Sequence, residues 1–298
     1  MKSRTYASID IGSNAMRLLI STANFDDKRL FFKKNALVRV PIRLGQDVFT
    51  TGQISTRNQN RFLDAMTAFR HLMKVHEVST YRACATSAMR DAKQSKELIE
   101  RIKTQTDIDI EVIQGSLEAQ IIFNTQIQDL LSPETHYLYV DVGGGSTELS
   151  LFHGKTLLAS KSFNVGTIRL LNKVVGALEW KKLSDWISKY CNGIDSIESI
   201  ASGGNINRTF KLIGKKKGQV LEIDELKDMA KDIRSVDYEE RQFRFNMNPD
   251  RADVIVPALS IYLKIFDLAQ IHTIHVPKIG LADGLIRIQH KNFLNQKT

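Results

Sequence analysis

Two short loops, each opened by an aspartate and rich in glycine, constrain the fold of this chain more than any other feature. The first reads Asp-Ile-Gly-Ser-Asn at 10–14, and the second reads Asp-Val-Gly-Gly-Gly-Ser-Thr-Glu at 141–148. Each loop lies between two apolar runs, which predicts a strand, a tight turn and a second strand. Glycine lets backbone N–H groups approach a ligand closely, and successive N–H groups form an anion-binding nest. Two such loops facing each other would hold a phosphate chain from both sides.

The aspartate that opens each loop adds a cation-binding element to this pattern. Asp10 and Asp141 follow apolar runs, and a carboxylate at a strand end can hold a metal ion or an ordered water beside bound phosphates. Ordinary hairpin turns are the alternative for either loop alone. A purely structural turn does not require the same order of aspartate and glycine twice.

Composition limits the classes of partner. The chain has 298 residues, which suits two domains, and a formal net charge of +9, which suits a polyanion. Its aromatic residues do not alternate with basic ones as in single-strand nucleic-acid binders, so we expect no nucleic-acid partner. No apolar stretch is long enough to span a bilayer, so we expect no membrane partner. The two cysteines suggest no disulfide framework, and we expect a cytoplasmic protein, with a homodimer kept open.

The element pattern restarts after Ser132-Pro133, which predicts domains at 1–131 and 132–298. Each half begins with three strands and carries its glycine loop between the first two, so the halves read as a diverged repeat of α/β domains with mixed sheets. We expect a ligand cleft between the two domains. We predict strands near 5–10, 15–22, 28–39, 80–85, 109–113, 136–142, 147–153, 156–163, 197–201 and 271–276, and helices near 56–76, 95–103, 116–130, 166–174, 178–190, 205–213, 223–234, 238–243, 250–269 and 280–288.

Several motifs in a fixed order carry a resemblance to a known family. They are the loop at 10–14 with Arg17-Leu18, Arg43-Leu44-Gly45, the segment 85–92 with Arg90, the loop at 141–148, Gly166 to Leu170, Ala201 to Gly204 and Arg251 to Ile255. The sequence resembles the exopolyphosphatase / guanosine pentaphosphate phosphatase family, within the actin / sugar kinase / Hsp70 superfamily. The resemblance covers nearly the whole chain and implies two ribonuclease H-like domains of the actin-like ATPase type. It also looks like the short form that lacks the family's extra C-terminal helical domains.

The resemblance implies hydrolysis of a terminal phosphoanhydride bond of a polyanionic phosphate substrate, with Mg²⁺ as cofactor. It marks Glu118 as catalytic, to orient or deprotonate the attacking water, and Arg90 and Glu148 as further catalytic candidates. Asp10, Asp141 and Glu148 are the candidate metal ligands. The candidate phosphate-binding residues are Gly12, Ser13, Asn14, Arg17, Arg43, Gly143, Gly144, Gly145, Ser146, Thr147, Ser202, Gly203 and Gly204. For Glu118 the alternative is a carboxylate favoured in the first turn of a helix, and for Arg90 it is a surface helix residue.

Two departures from the family pattern keep other functions open. Leu117 replaces the glutamate that usually precedes Glu118, and Ala282 replaces an arginine near the C-terminus. We expect an exopolyphosphatase, with a guanosine pentaphosphate 5'-phosphatase as the alternative in the same class. A third possibility is an ATP-dependent kinase of the superfamily. Such a kinase would need a hydroxyl-bearing acceptor and usually an aspartate base in its second half, where this chain has a phosphate loop with Glu148 instead. A sensor that binds polyphosphate or an alarmone without turnover is the non-enzymatic alternative, which the retained Glu118 opposes.

Overall fold

The computed structural model describes residues 3–26, 29–123 and 131–296. The chain forms two compact units. The first comprises Met1–Thr125 together with Gly280–Thr298, and the second comprises Gln126–Ile279.

The first unit is built on a mixed sheet of five strands. Their order is β3-β2-β1-β4-β5, in which the first three strands are antiparallel neighbours and the last three run parallel. The strands are β1 (Arg4–Ile11), β2 (Met16–Asp26), β3 (Arg29–Val40), β4 (Thr80–Ala85) and β5 (Ile110–Val112), and the helices are α1 (Leu44–Thr51), α2 (Thr56–Val75), α3 (Ser87–Asp91), α4 (Ser95–Thr106), α5 (Gly115–Phe123) and, from the end of the chain, α13 (Leu281–Asn295).

The second unit repeats this arrangement on a six-stranded sheet. Its order is β10-β11-β9-β6-β7-β8, so β8-β7-β6-β9-β11 reproduces the five-stranded order of the first unit with an added edge strand. The strands are β6 (His136–Val142), β7 (Thr147–His153), β8 (Thr156–Phe163), β9 (Ile197–Ser202), β10 (Val220–Glu222) and β11 (Thr273–His275), and the helices are α6 (Thr167–Leu171), α7 (Ala177–Cys191), α8 (Gly204–Leu212), α9 (Ile223–Arg234), α10 (Tyr238–Arg244), α11 (Pro249–Ala252) and α12 (Ile255–Leu268). The predicted mixed α/β fold is confirmed.

Local sequence explains most element boundaries. Ser55 is the N-cap of α2, and its side chain accepts a hydrogen bond from the backbone N–H of Asn58 at 3.4 Å, as short polar side chains do at helix starts. The apolar stripe of α2 lies in the core as predicted, through Phe62, Met66, Phe69 and Met73. Ile121 and Ile122 of α5 are also buried. The later part of the helix predicted at 116–130, with Ile127 and Leu130, falls outside the described residues.

The C-terminal helix differs from the predicted division of the chain. We predicted a second domain that continues to residue 298, but Gly280–Thr298 packs with the first unit. The Ser8 hydroxyl on β1 donates to the carbonyl of Ala282 at 2.8 Å, and the Tyr6 hydroxyl lies 2.9 Å from Nδ1 of His290. Gly284 lies so close to α5 that an added Cβ would be 2.6 Å from the carbonyl oxygen of Ile121. The apolar face of a helix does not specify in sequence which sheet it will cover.

Several short elements were not predicted. The helices α1 and α3 and the strand β10 were absent from the prediction, and the helix predicted at 250–269 divides into α11 and α12. The helix predicted at 166–174 is shorter and ends at Leu171. These elements have only three to eight residues, apart from α12, and such lengths give too few apolar positions for a periodic signal.

Candidate active site

The two glycine loops close through the same backbone hydrogen bond. The N–H of Gly12 donates to the carbonyl of Ala15 at 3.2 Å, and the N–H of Gly143 donates to the carbonyl of Ser146 at 2.9 Å. An added Cβ on Gly12 or Gly143 would lie 3.1 Å from the carbonyl oxygen of the same partner. Both loops are therefore turns between antiparallel strands, and their further contacts distinguish them from ordinary hairpins.

In the second unit, α6 binds three successive carbonyls of the loop. The N–H groups of Thr167 and Ile168 donate to Gly143 and Gly144 at 3.0 and 2.8 Å, and Nε of Arg169 donates to the carbonyl of Gly145 at 2.7 Å. In a trans peptide the C=O and the following N–H point in opposite directions. The loop N–H groups at 144–146 therefore point away from α6, which is the arrangement of an anion nest.

In the first unit, the start of α1 has the same role. The N–H of Arg43 donates to the carbonyl of Asn14 at 3.0 Å, and the N–H of Gly45 donates to that of Ser13 at 2.8 Å. Arg43 adopts a left-handed conformation with φ 62° and ψ 43°, which a residue with a Cβ adopts rarely and often near functional sites. An added Cβ on Gly45 would lie 2.9 Å from Cβ of Ser13. This close packing explains why Arg43-Leu44-Gly45 accompanies the first loop.

The residues opposite the two loop aspartates carry opposite charges. Asp10 faces Arg17 in the register of β1 and β2, and Nη1 of Arg17 donates to Oδ2 of Asp10 at 2.8 Å. Asp141 faces Glu148 in the equivalent register of β6 and β7. Glu148 is buried and accepts hydrogen bonds at Oε1 from the hydroxyls of Ser146 at 2.7 Å and Ser162 at 2.8 Å.

The other predicted catalytic residues of the first unit lie at the carboxyl ends of its parallel strands. Arg90 lies on α3 after β4, and Glu118 lies in the first turn of α5 after β5. Nη1 of Arg90 donates to the carbonyl of Ile113 at 2.6 Å, which ties α3 to the approach of α5. Burial raises the pKa of Cys84 to about 12, and the charges of Asp10 and Glu118 are among the smaller causes. Asp10 and Cys84 are register partners near the carboxyl ends of β1 and β4, the end of the sheet at which α/β proteins commonly bind ligands.

The segment Ser202-Gly203-Gly204 lies beside Asp141 in the second unit. Asp141 pairs with Ser202 in the register of β6 and β9, and the Ser202 hydroxyl donates to the carbonyl of Ile279 at 3.0 Å. Gly203 has φ 120°, and an added Cβ would lie 3.3 Å from Oδ1 of Asp141. A glycine is required there by its backbone conformation and by the space.

A profile of the Ppx/GppA phosphatase family matches residues 32–293. The chain belongs to this family.

Curated relatives of the Ppx/GppA protein match parts of longer chains. This chain is 28% identical over 220 residues to a bifunctional 3-dehydroquinate synthase/phosphatase of Fusobacterium nucleatum, and the match covers 70% of this chain and 32% of the relative. It is 31% identical over 172 residues to exopolyphosphatase 2 of Mycobacterium tuberculosis, a match that covers 56% of this chain and 54% of the relative. It is 23% identical over 305 residues to a guanosine-5'-triphosphate,3'-diphosphate pyrophosphatase of Aliivibrio fischeri, covering 96% and 60%. The chain thus spans less than two thirds of each of these relatives.

A solved structure supports the fold over nearly the full length of both chains. An exopolyphosphatase from Cytophaga hutchinsonii matches with a TM-score of 0.84 and 24% identity, covering 97% of this Ppx/GppA chain and 98% of that chain. At this identity the match shows the fold alone. No helix within the described residues combines the length and hydropathy needed to cross a bilayer.

The oxygen atoms at and beside Asp141 are suitable ligands for a hard cation. The Tyr139 hydroxyl donates to Oδ2 of Asp141 at 3.2 Å, and Glu148 lies opposite on the neighbouring strand. Mg²⁺ uses oxygen ligands and is commonly held by one or two carboxylates together with water and substrate phosphate. Among residues 3–26, 29–123 and 131–296, no group of three or more His, Cys, Asp or Glu side chains is placed to hold a metal ion. Asp141 and Glu148 are two facing carboxylates, the number that commonly holds Mg²⁺ together with water and substrate phosphate.

The two departures from the family pattern lie in different environments. Ala282 is buried in a small apolar cluster with Tyr6, Leu19 and Ile286. The residue that replaces the usual arginine thus packs α13 onto β1 and β2. Leu117 is half-buried in the first turn of α5, next to Glu118.

Sequence reasoning missed the residues that hold the loops and the second aspartate in place. Gly166, Thr167 and Arg169 were noted only as part of a family motif, although they bind the second loop directly. Tyr262 gave no sequence signal, because it lies on an apolar helix, yet its buried hydroxyl donates to the carbonyl of Ser202 and accepts from the N–H of Val142 at 3.4 Å. Burial raises the pKa of Tyr262 well above its ordinary value, so its hydroxyl stays protonated.

Proposed function

We propose that this Ppx/GppA protein is an exopolyphosphatase that hydrolyses the terminal phosphoanhydride bond of inorganic polyphosphate. One observation carries this proposal: in each unit a helix start binds the loop carbonyls, so that the N–H groups of the same peptides point away from that helix. A linear polyanion with repeating phosphate groups offers acceptors to such N–H arrays. Phosphoryl transfer requires mainly positioning and charge stabilisation, which fixed N–H groups and arginines supply.

In this proposal each predicted residue has a separate task. The loops at 12–14 and 143–147, with Ser202-Gly203-Gly204, bind phosphate oxygens. The N–H groups of Gly12 and Gly143 close the two turns, so the loop amides that follow them contact the phosphate. Arg17, Arg43 and Arg90 offset the charge of the substrate. Glu118 orients the attacking water and accepts its proton, as a carboxylate does in general base catalysis. Its position after the carboxyl end of β5, where α/β proteins commonly bind ligands, supports this role.

Mg²⁺ is the cofactor that the carboxylates favour. Asp141 and Glu148 would hold it, and Asp10 was the third predicted ligand. When bound, the ion would supply Lewis-acid stabilisation of charge on the phosphoryl oxygens. A cytoplasmic location and a homodimeric state remain predictions from the sequence.

A guanosine pentaphosphate 5'-phosphatase is the second candidate. It is favoured by the match to the Aliivibrio fischeri pyrophosphatase, which extends over 96% of this chain. Both substrates end in a phosphoanhydride, so the same loops and the same base would serve either. The third candidate is a sensor that binds polyphosphate or an alarmone without turnover, motivated by Leu117 and Ala282.

One experiment separates these candidates. Phosphate release by the purified protein is measured with Mg²⁺ on long-chain polyphosphate and on guanosine pentaphosphate side by side. A much higher kcat/KM on polyphosphate is the expected result, and preference for the nucleotide would replace the main proposal with the second. Binding of either ligand without release would support the sensor.

A further inference from the structure

The residues that face the two loop aspartates indicate that the two units bind different ligands. We propose that Asp10 is a positioning residue that acts through Arg17 on the phosphate ligand, while Asp141 and Glu148 of the second unit bind the cation. This inference rests on the proposed function and refines it, because the sequence alone assigned Asp10 to the metal.

The loops of the two units are structurally equivalent. In each unit the loop joins the first two strands of the unit, spans four residues and closes by the same N–H to carbonyl bond. In each unit the aspartate is the residue before the last of the first strand and pairs with the second residue of the next strand. Arg17 and Glu148 therefore occupy equivalent positions in the two units.

In the first unit, this place is cationic. Arg17 pairs with Asp10 on one side and faces Arg39 on the other. The Asp10 side chain is 10% exposed and that of Arg17 is 35% exposed, so the buried carboxylate holds an arginine that reaches toward solvent. A hydrogen bond between two charged groups is among the stronger ones and fixes the guanidinium beside the loop. Two guanidinium groups thus lie on neighbouring strands beside the loop, and the planar guanidinium suits phosphate oxygens.

In the second unit, the same place is anionic. Asp141 and Glu148 face each other, and like charges at opposed positions destabilise a strand pair. Hydroxyl donors on both sides stabilise the carboxylates, with Tyr139 bonded to Asp141 and Ser146 and Ser162 bonded to Glu148. A divalent cation bound to both carboxylates would offset their mutual repulsion. The two units thus select ligands of opposite charge.

The test compares a set of matched variants with two binding readouts and one kinetic readout. Asp10→Asn, Arg17→Ala, the double variant, Asp141→Asn and Glu148→Gln are prepared, and circular dichroism confirms that each is folded. The double variant leaves no unpaired charge and serves if Asp10→Asn fails to fold. Tripolyphosphate binding is measured in EDTA, Mn²⁺ binding is measured by calorimetry, and KM, kcat and the Mg²⁺ concentration for half-maximal release are measured on polyphosphate.

We expect Asp10→Asn to weaken tripolyphosphate binding and raise KM by about tenfold, with the Mn²⁺ affinity and the half-maximal Mg²⁺ concentration unchanged within about twofold. The loss in the double variant should equal that of Arg17→Ala alone, since residues that act as one unit are not additive. Asp141→Asn and Glu148→Gln should show the opposite pattern, with weakened Mn²⁺ binding. Loss of Mn²⁺ binding in Asp10→Asn, or additive losses in the double variant, would overturn the inference.

Failure of the proposed function is distinguishable from failure of this inference. A wild-type protein that binds tripolyphosphate in EDTA but releases no phosphate contradicts the proposed function. The two binding readouts then decide the inference without turnover: weaker tripolyphosphate binding with Mn²⁺ binding retained in Asp10→Asn, and Mn²⁺ binding lost in Asp141→Asn, supports it. Mn²⁺ binding lost in both variants, or absent from the wild type, overturns it, as does a wild type that does not bind tripolyphosphate.

Discussion

Gly166 lies against the second loop so closely that an added Cβ would be 2.4 Å from the carbonyl carbon of Gly145. The backbone of Gly166 is extended, with φ −138° and ψ 162°, so space and not conformation requires a glycine. This contact lets α6 reach the loop carbonyls and thereby orients the loop N–H groups.

Gly166→Ala should displace the second loop. We expect a loss of about 1–3 kcal/mol in the free energy of unfolding, as for an overpacked core, together with a large loss of phosphate release. Urea unfolding and a phosphate assay measure the two effects. The control is Gly176→Ala at the N-cap of α7, where an added Cβ meets nothing within 4 Å. Only the weaker N-cap preference of alanine should lower stability there, by less than about 1 kcal/mol, and phosphate release should stay unchanged. Equal effects of the two substitutions would contradict the role of Gly166.

Glu118→Gln should abolish turnover and leave binding intact. General base catalysis contributes about 10²–10⁴-fold to rate, and the amide keeps the size of the side chain. We therefore expect kcat to fall by about this factor while polyphosphate affinity stays within about threefold. The control is Glu97→Gln in the first turn of α4, which tests the contribution of a carboxylate to a helix start. Near-normal kcat in Glu118→Gln would assign the base to another residue.

The protein should lose stability as the pH falls below about 6.5, partly because of His290. Burial lowers the pKa of His290 from its ordinary value of 6.5, and the charge of Arg4 lowers it further. Above pH 6.5 His290 is mostly neutral in both the folded and the unfolded protein. Below it the unfolded chain binds a proton that the folded protein resists, so acidification favours unfolding.

Urea unfolding between pH 7.5 and pH 5 measures this effect, and His290→Gln should show a shallower dependence. The slope should shrink without vanishing, because burial and the charge of His153 also lower the pKa of His136. An unchanged slope in His290→Gln would show that His290 does not contribute.

Both cysteines should resist alkylation in the folded protein. Burial raises the pKa of Cys84 to about 12 and that of Cys191 to about 11, and both thiols are buried. The thiolate is the reactive form, so at pH 8 iodoacetamide should modify neither residue within a time that labels both in urea. Mass spectrometry identifies the modified sites. Rapid labelling of native Cys84 would show that the carboxyl end of β4 becomes exposed in solution.

The patterns that the sequence revealed are local ones. The strand-loop-strand segments at 10–14 and 141–148 were predictable, because apolar runs and a glycine turn depend only on neighbours in the chain. The same holds for α2, whose stripe from Phe62 to Met73 is buried as predicted. The repeat and the mixed α/β class followed from two such patterns. The motif order also indicated the family, which the profile match over 32–293 confirms.

Contacts between distant segments were decided by the tertiary structure alone. The eight residues of α1 have no periodic signal, yet Arg43 and Gly45 bind the carbonyls of a loop some 30 positions earlier in the chain. The position of α13 on the first sheet depends on Ser8 and Tyr6 of β1, which no pattern within 280–298 could indicate. The strand registers of the two units are also needed to show that Asp10 and Asp141 face residues of opposite charge at equivalent positions. Sequence sets local conformation through nearby side chains, whereas close packing and hydrogen bonding between distant segments select which surfaces meet.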